Sequence, residues 1–169
     1  LVQPGWRNVE LARPDGNIVL EATSPFGTAL GAVSERPSFE KAVRERRSSI
    51  RGLYPKNDSG FLFGVRTPIL EDDSIRWVLS ALVDPREIHR LLERQRLPAD
   101  WVGVVLDADN RIVARTMDGD RMVGRLAAVS LRNALSQRPE GWFRGETLEG
   151  IQVYTPYTRS LRSCLLYTS

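Results

Sequence analysis

The sequence contains few of the side chains on which most catalytic and metal-binding sites depend. One histidine, His89, and one cysteine, Cys164, occur among 169 residues. A hydrolytic triad needs a base held beside a nucleophile, and a structural zinc site needs several His or Cys ligands at close spacing. His89 falls on the polar face of a predicted helix, where a solvated side chain is expected. We therefore expect no catalytic residue, no bound metal and no cofactor.

The basic residues also argue against one class of partner. Lys41 and Lys56 are the only lysines, so almost all of the 24 basic residues are arginines, set against 21 acidic ones. The arginines are scattered, and no basic helix carries interleaved aromatic residues, so nucleic-acid binding is not expected. The sequence shows no signal peptide and no membrane-spanning run, but it begins without Met and both ends read as cuts.

The 41% of hydrophobic residues can form the core of one ordinary domain or two small ones. Apolar periodicity and turn residues predict strands alternating with short helices. The acidic turns "EDD" at 71–73 and "DAD" at 107–109 are interpreted as turn chemistry rather than as cation ligands. The predicted strands are 6–11, 17–22, 48–54, 61–70, 75–83, 101–106, 111–116, 142–147 and 151–157, and the predicted helices are 37–46, 84–97 and 127–137. Asp84 is predicted to cap the middle helix, with Glu87 completing a capping box.

The chain reads as a duplicated module. "LARPDGNIVLEA" is matched by "LDADNRIVAR", "AVRERRSSIRG" by "ALSQRPEGWFRG", and "GVRTP" by "QVYTP", in the same order and at offsets of 95 to 88. Matches kept in order over a whole chain favour duplication over chance. Each copy predicts a hairpin, a helix and an antiparallel meander, which gives an α+β fold with flanking helices on each sheet. The second copy is predicted to lack its last strand.

Four stretches resemble double Cache domains, the tandem PAS-like sensor modules of bacterial transmembrane receptors. They are "PGWRNVELARPDGNIVLEATSPFG", "FGVRTPILEDDSIRWVLSALVDP", "LPADWVGVVLDADNRIVARTMDGDRMVG" and "EGWFRGETLEGIQVYTPYTRS", and they cover residues 4 to 162. The resemblance implies a membrane-distal, ligand-sensing module at 1–97 and a truncated membrane-proximal module at 98–163. It also implies a closing strand where this chain reads "CLLYTS". Residues 164–169 are therefore interpreted as a foreign or misread tail, and their deletion is expected to leave the melting temperature nearly unchanged.

The resemblance also bears on the ligand. Many amino-acid-binding Cache domains carry an Arg followed by Trp and Tyr at the start of the helix, then a later Tyr and an Asp. Here Arg36 matches the Arg, but Ser38 and Phe39 stand where Trp and Tyr would be. Tyr54 falls near the later Tyr, and Asp84 falls at the Asp. The motif is half kept, and donors are missing on its carboxylate side.

A site hypothesis for the first module follows from these positions. Arg36, Tyr54, Arg66 and Asp84 are predicted to converge on one pocket. Its predicted walls are Phe39, Phe63 and Trp77. Two arginines favour an anionic small molecule, because a guanidinium binds a carboxylate through two hydrogen bonds.

The sequence thus predicts a non-catalytic, extracytoplasmic (periplasmic) sensing region for a small organic solute. The resemblance implies anchoring through flanking membrane helices that are missing here, a homodimer, and a histidine kinase or diguanylate cyclase output domain. Two alternatives stay open. One is a structural or dimerisation module whose pocket is filled by its own side chains. The other is a small soluble enzyme.

Overall fold

The computed structural model describes residues 5–50, 52–55, 60–159 and 166–168. The strands are β1 (Trp6–Ala12), β2 (Ile18–Glu21), β3 (Ser49–Ile50), β4 (Tyr54–Pro55), β5 (Phe61–Glu71), β6 (Ser74–Val83), β7 (Val104–Leu106), β8 (Ile112–Arg115), β9 (Glu140–Glu146), β10 (Gln152–Arg159) and β11 (Leu166–Thr168). The helices are α1 (Arg36–Glu45), α2 (Arg86–Arg94), α3 (Gly119–Met122) and α4 (Val129–Gln137). The predicted order of elements is confirmed, except that the single predicted strand 48–54 corresponds to two short strands, β3 and β4, and the structure adds α3 and β11.

The chain forms two compact units. The first comprises residues 1–51 and 62–84, and the second comprises residues 52–61 and 85–169. Helix α2 is predicted in the first module but belongs to the second unit. The division into modules at residue 97 stays a prediction.

Both units contain an antiparallel sheet of the same topology. Along the main path of hydrogen-bonded strands, the order is β2-β1-β6-β5-β3 in the first sheet and β8-β7-β11-β10-β9 in the second. When the strands of this path are numbered in chain order within their own sheet, both sheets have the order 2-1-5-4-3, as in PAS-like domains. The predicted α+β fold of two tandem PAS-like modules is therefore confirmed.

The correspondence between the two units extends to individual backbone hydrogen bonds. In the first unit the Ile18 N–H donates to the carbonyl of Gly31 at 3.0 Å, and in the second the Ile112 N–H donates to the carbonyl of Arg125 at 2.8 Å. Donor and acceptor both lie 94 positions after their counterparts (112 minus 18, and 125 minus 31). In each unit the chain thus returns to the opening hairpin at the same point before its helix begins.

The prediction that the second sheet lacks its last strand is wrong. Strand β11 lies between β7 and β10 and pairs antiparallel with both of them. Three residues are enough for a strand here because the neighbours on both sides supply backbone partners. Cys164, Leu165 and Ser169 lie outside the described residues, and the foreign origin of the tail stays a prediction.

Each sheet is covered on one face by helical residues. In the first unit the core cluster is Ala12, Val33, Phe39 and Val78, with Phe39 supplied by α1. In the second unit it is Leu106, Ile112, Met122, Ala127, Leu131, Leu135 and Tyr157. None of the helices in the described parts of the chain is long and apolar enough to cross a membrane.

Candidate functional site

Arg66 of β5 is buried beneath the start of α1, where its guanidinium has several protein partners. Nε donates to Ser38 Oγ at 2.9 Å, Nη1 to Ser80 Oγ at 2.8 Å and Nη2 to the Glu35 carbonyl at 3.2 Å. Nη2 also lies 3.5 Å from the Glu35 carboxylate, and Cζ lies 5.8 Å from the centre of the Phe39 ring. The structure therefore brings Arg66 and Phe39 together, within an interior network of the first unit.

That network belongs to a row of polar residues across the helix-covered face of the first sheet. Directly paired positions, which point to the same face, join Glu21 to Glu10, Glu10 to Ser80, Ser80 to Arg66 and Arg66 to Ser49. We call these five residues the polar row. Four of them are buried, so the charges of Glu10 and Arg66 lie inside the unit rather than at its surface.

The surroundings of Glu10, a member of the polar row, raise the pKa of its carboxyl. Burial raises the pKa of the Glu10 carboxyl above 4.5, and the neighbouring Glu21 carboxylate raises it further. Arg66 and the hydrogen bond from Asn8 Nδ2, 3.2 Å from Glu10 Oε1, act in the opposite direction. Desolvation prevails because a buried carboxylate loses more hydration than these partners return.

Two of the predicted pocket walls do not face Arg66. Side chains alternate along β5 and β6, and the pairing is regular from Phe63 with Val83 to Ile69 with Trp77. Phe63 and Trp77 therefore lie on the face of the sheet opposite to Arg66. The structure does not assemble the predicted set into one pocket.

The structure places the remaining predicted residues on other elements. Arg36 has an exposed side chain that lies 3.9 Å from Glu40 on the next turn of α1. Tyr54 belongs to the second unit. Binding of a ligand by any predicted residue stays a prediction.

Asp84 is buried and accepts hydrogen bonds from Arg7 Nε at 3.2 Å and Nη2 at 2.6 Å. Its expected role as helix cap is wrong. The N-cap of α2 is Pro85, one residue after Asp84, and its side chain makes no capping hydrogen bond. Glu87 is therefore the second residue of the helix and not the third, which a capping box requires. A proline at the cap position has no side-chain acceptor to offer.

The second unit contains a cavity of about 520 Å³. Its apolar lining is Trp101, Val102, Val104, Ile112, Ala127, Ala128, Leu131, Phe143, Leu148, Val153 and Pro156. Its polar lining is Asp100, Arg115, Glu146, Thr147, Gln152, Tyr154 and Thr155. It lies between the sheet, the start of α4 and the β9–β10 hairpin, and its size and lining are typical of a small-molecule site.

Arg115 is the cation of this cavity. Its side chain is 3% exposed, and it donates from Nη1 to Glu149 Oε1 at 2.6 Å and from Nη2 to Glu149 Oε2 at 2.7 Å. These hydrogen bonds are the largest cause that lowers the pKa of Glu149 to about 2. Glu149 is in the turn between β9 and β10, so the ion pair fastens that turn to the sheet.

Sequence reasoning missed both Arg115 and the cavity. The run Ile112-Val113-Ala114 is apolar without alternation, and such a strand is buried on both faces. An arginine that ends such a run is expected to be buried too, and this signal was available. Glu149 gave none, because "TLEGI" reads as an ordinary turn.

His89 is less solvated than predicted. Its side chain is 28% exposed, Nε2 lies 3.3 Å from Glu93 on the next turn of α2, and the imidazole packs against Gly119. Within the described ranges, no group of three or more His, Cys, Asp or Glu residues is placed to hold a metal ion.

No protein-family model and no curated protein sequence matches the chain. Solved structures are similar to it. The extracellular domain of rpHK1S-Z16, a presumed histidine kinase, is 20% identical with a TM-score of 0.68, and the match covers 98% of this chain and 70% of that one. An extracellular ligand-binding receptor from Desulfohalobium retbaense is 14% identical with a TM-score of 0.71, covering 98% of this chain and 30% of that one.

A third similar structure was solved with a bound amino acid. It is the ligand-binding domain of the Pseudomonas aeruginosa chemoreceptor PctB in complex with L-glutamine, 13% identical with a TM-score of 0.64, and the match covers 99% of this chain and 70% of that one. At sequence identities this low, the structural similarity establishes the fold alone. That fold is the tandem PAS-like fold of extracytoplasmic sensor domains, as the resemblance to double Cache domains implied.

Proposed function

We propose that this chain is the non-catalytic region of a bacterial receptor that senses a small organic solute outside the cytoplasm. The observation that carries the proposal is the cavity of about 520 Å³ inside a unit of tandem PAS-like fold. The cavity combines a mostly apolar lining with one buried guanidinium, and this combination gives a solute both affinity and orientation.

The proposal places sensing in the second unit. Strands β9 and β10, the start of α4 and the turn that carries Glu149 all contribute to the cavity wall. A solute that binds one arrangement of these elements more tightly than another shifts their populations. In the full receptor, membrane helices on either side of this chain would carry the shift to a histidine kinase or diguanylate cyclase domain, within a homodimer.

One observation favours the structural alternative for the first unit. The helix-covered face of its sheet is filled by Arg66, Glu35, Ser38 and Phe39, which are buried and contact one another. This unit would then hold the receptor's shape while the second unit binds the solute.

A thermal-shift screen of carboxylic acids, amino acids and polyamines tests the proposal. A solute at about 100 times its Kd stabilises the fold by roughly 2.7 kcal/mol. At about 2–4 °C per kcal/mol for a chain of this size, the melting temperature should rise by roughly 5–10 °C.

Two neighbouring positions offer a matched pair of variants for any hit. Ala128 lines the cavity, so the ring introduced by Ala128→Phe should obstruct it and abolish the shift. Val129 is 60% exposed and does not line the cavity, so Val129→Phe should leave the shift intact. A hit that survives Ala128→Phe, or a screen without a hit, would count against sensing by the second unit.

A further inference from the structure

We infer that the cavity of the second unit takes a monocarboxylate with an apolar body, and that the carboxylate of this solute displaces Glu149 from Arg115. The inference rests on the proposed function and deepens it. It names the class of solute, the residue that recognises it and the contact that its binding breaks.

The Arg115 guanidinium determines the shape of the group that it can bind. A guanidinium presents two parallel N–H groups that match the two oxygens of a carboxylate. Arg115 already uses this geometry with Glu149, at 2.6 and 2.7 Å. A solute carboxylate in the same place would satisfy the same two donors, so Glu149 serves as an internal stand-in for the ligand.

Of the two partners in this ion pair, Glu149 is the one that can leave. The Glu149 side chain is 29% exposed whereas that of Arg115 is 3% exposed. Glu149 can return to water, but Arg115 cannot be left buried without a partner, which would cost several kcal/mol. Exchange of one carboxylate for another avoids that cost.

The turn that carries Glu149 is closed by its own backbone hydrogen bonds. Thr147 N–H donates to the Ile151 carbonyl at 2.9 Å, and Gly150 N–H donates to the Thr147 carbonyl at 3.1 Å. Gly150 takes a φ of +81°, which a residue without a Cβ adopts freely. These bonds are local to the turn, so they do not replace the attachment to the sheet that is lost when the Glu149 carboxylate leaves Arg115, and they then open more often.

Protonation of Glu149 does not open the ion pair near neutral pH. The hydrogen bonds from Arg115 lower the pKa of Glu149 to about 2, so its carboxylate stays ionised in any neutral or mildly acidic medium. A competing anion is then the means of opening the pair. The apolar lining favours a hydrocarbon body on that anion, and the carboxylates of Asp100 and Glu146, which also line the cavity, disfavour a second negative charge.

Sodium pentanoate tests the inference, with pentanamide and pentylamine as neutral and cationic probes of the same length. Binding to the full chain is measured by calorimetry. The Glu149→Gln variant removes the competing charge and should bind pentanoate about tenfold or more tightly than the wild-type chain, a change of about 1.4 kcal/mol. Glu146→Gln is the matched control, because Glu146 lines the cavity without pairing with Arg115, and its effect should be much smaller. Arg115→Gln should bind no pentanoate.

Hydrogen–deuterium exchange on the wild-type chain gives a readout that needs no variant. Pentanoate should speed exchange of the amides of residues 148–151, because the turn is released, and slow exchange in α4. Equal binding of pentanamide or pentylamine, unchanged affinity in Glu149→Gln, slower exchange in the turn, or no binding of pentanoate to either chain would each overturn the inference. The proposed function would survive these results provided that the screen yields another solute whose effect Ala128→Phe abolishes.

Discussion

Arg66 on β5 and Ser80 on β6 stand directly opposite each other and are joined by a 2.8 Å hydrogen bond from Nη1 to Oγ. Both side chains are buried, and the guanidinium also contacts Glu35 and Ser38 at the start of α1. The pair therefore ties the helix to the centre of the first sheet.

Truncation of Arg66 should destabilise the first unit strongly. In Arg66→Ala the buried Glu35 carboxylate loses its guanidinium partner, and breaking a buried ion pair costs about 3–5 kcal/mol. Arg36→Ala is the control, since that side chain is 54% exposed and its pair with Glu40 is worth less than about 1 kcal/mol. Urea unfolding measures both. If the two variants lose similar free energies of unfolding, Arg66 does not stabilise the fold and again becomes a candidate for ligand binding.

Glu10 should make the stability of the protein depend on pH. Because burial raises its pKa above 4.5, the folded protein holds this proton more tightly than the unfolded chain does. Its stabilising contribution is therefore complete below pH 4.5 and is lost as the pH rises through the folded-state pKa. Glu10→Gln should be more stable than the wild-type chain at pH 7, and the difference should shrink toward pH 4.5. The exposed Glu40→Gln serves as control, and a Glu10→Gln variant that is less stable at pH 7 would refute the expectation.

Asp107 should be the most sensitive turn residue of the second unit. It is buried, and its carboxylate accepts backbone hydrogen bonds from Asp109 at 3.0 Å, Arg111 at 2.8 Å and Leu53 at 2.9 Å. Asp107→Ala leaves those N–H groups without their acceptor, so a loss of about 2–3 kcal/mol is expected in urea unfolding. The exposed Asp109→Ala should lose much less. Equal losses would mean that water replaces the carboxylate.

Deletion of residues 164–169 should destabilise the second unit, in contrast to the expectation from sequence. Strand β11 separates β7 from β10, and its loss leaves backbone groups of both strands without partners. A fall in the melting temperature of roughly 5 °C or more is expected, as for a loss of about 2 kcal/mol. An unchanged melting temperature would favour the foreign tail.

Sequence reasoning succeeded where the information is local. The sequence predicts that the acidic residues of "DAD" serve the turn, and Asp107 does accept hydrogen bonds from the backbone of its own turn. The "EDD" turn was read in the same way, and Asp72 and Asp73 both adopt the positive φ of a two-residue hairpin turn. Residue types at a turn limit its backbone conformation, so these features follow from a few neighbouring letters.

It failed where a residue's face decides its role. The match of "GVRTP" with "QVYTP" aligns Arg66 with Tyr154, yet Arg66 is 2% exposed and Tyr154 is 69% exposed. A shift of one residue turns every side chain of a strand to the other face. The same limit placed Phe63 and Trp77 beside Arg66, although the alternation along β5 and β6 puts them on the opposite face. The cavity of the second unit was missed because it depends on several segments that are distant in sequence.

The most direct test of sensing by the second unit is a crystal structure of the chain soaked to saturation with the strongest solute from the thermal-shift screen. If the second unit is the sensor, electron density for the solute is expected in the cavity beside Phe143 and Leu131, with its carboxylate on Arg115 and Glu149 turned away from it. Density confined to the first unit, or an empty cavity at a concentration that raises the melting temperature, would contradict sensing by the second unit.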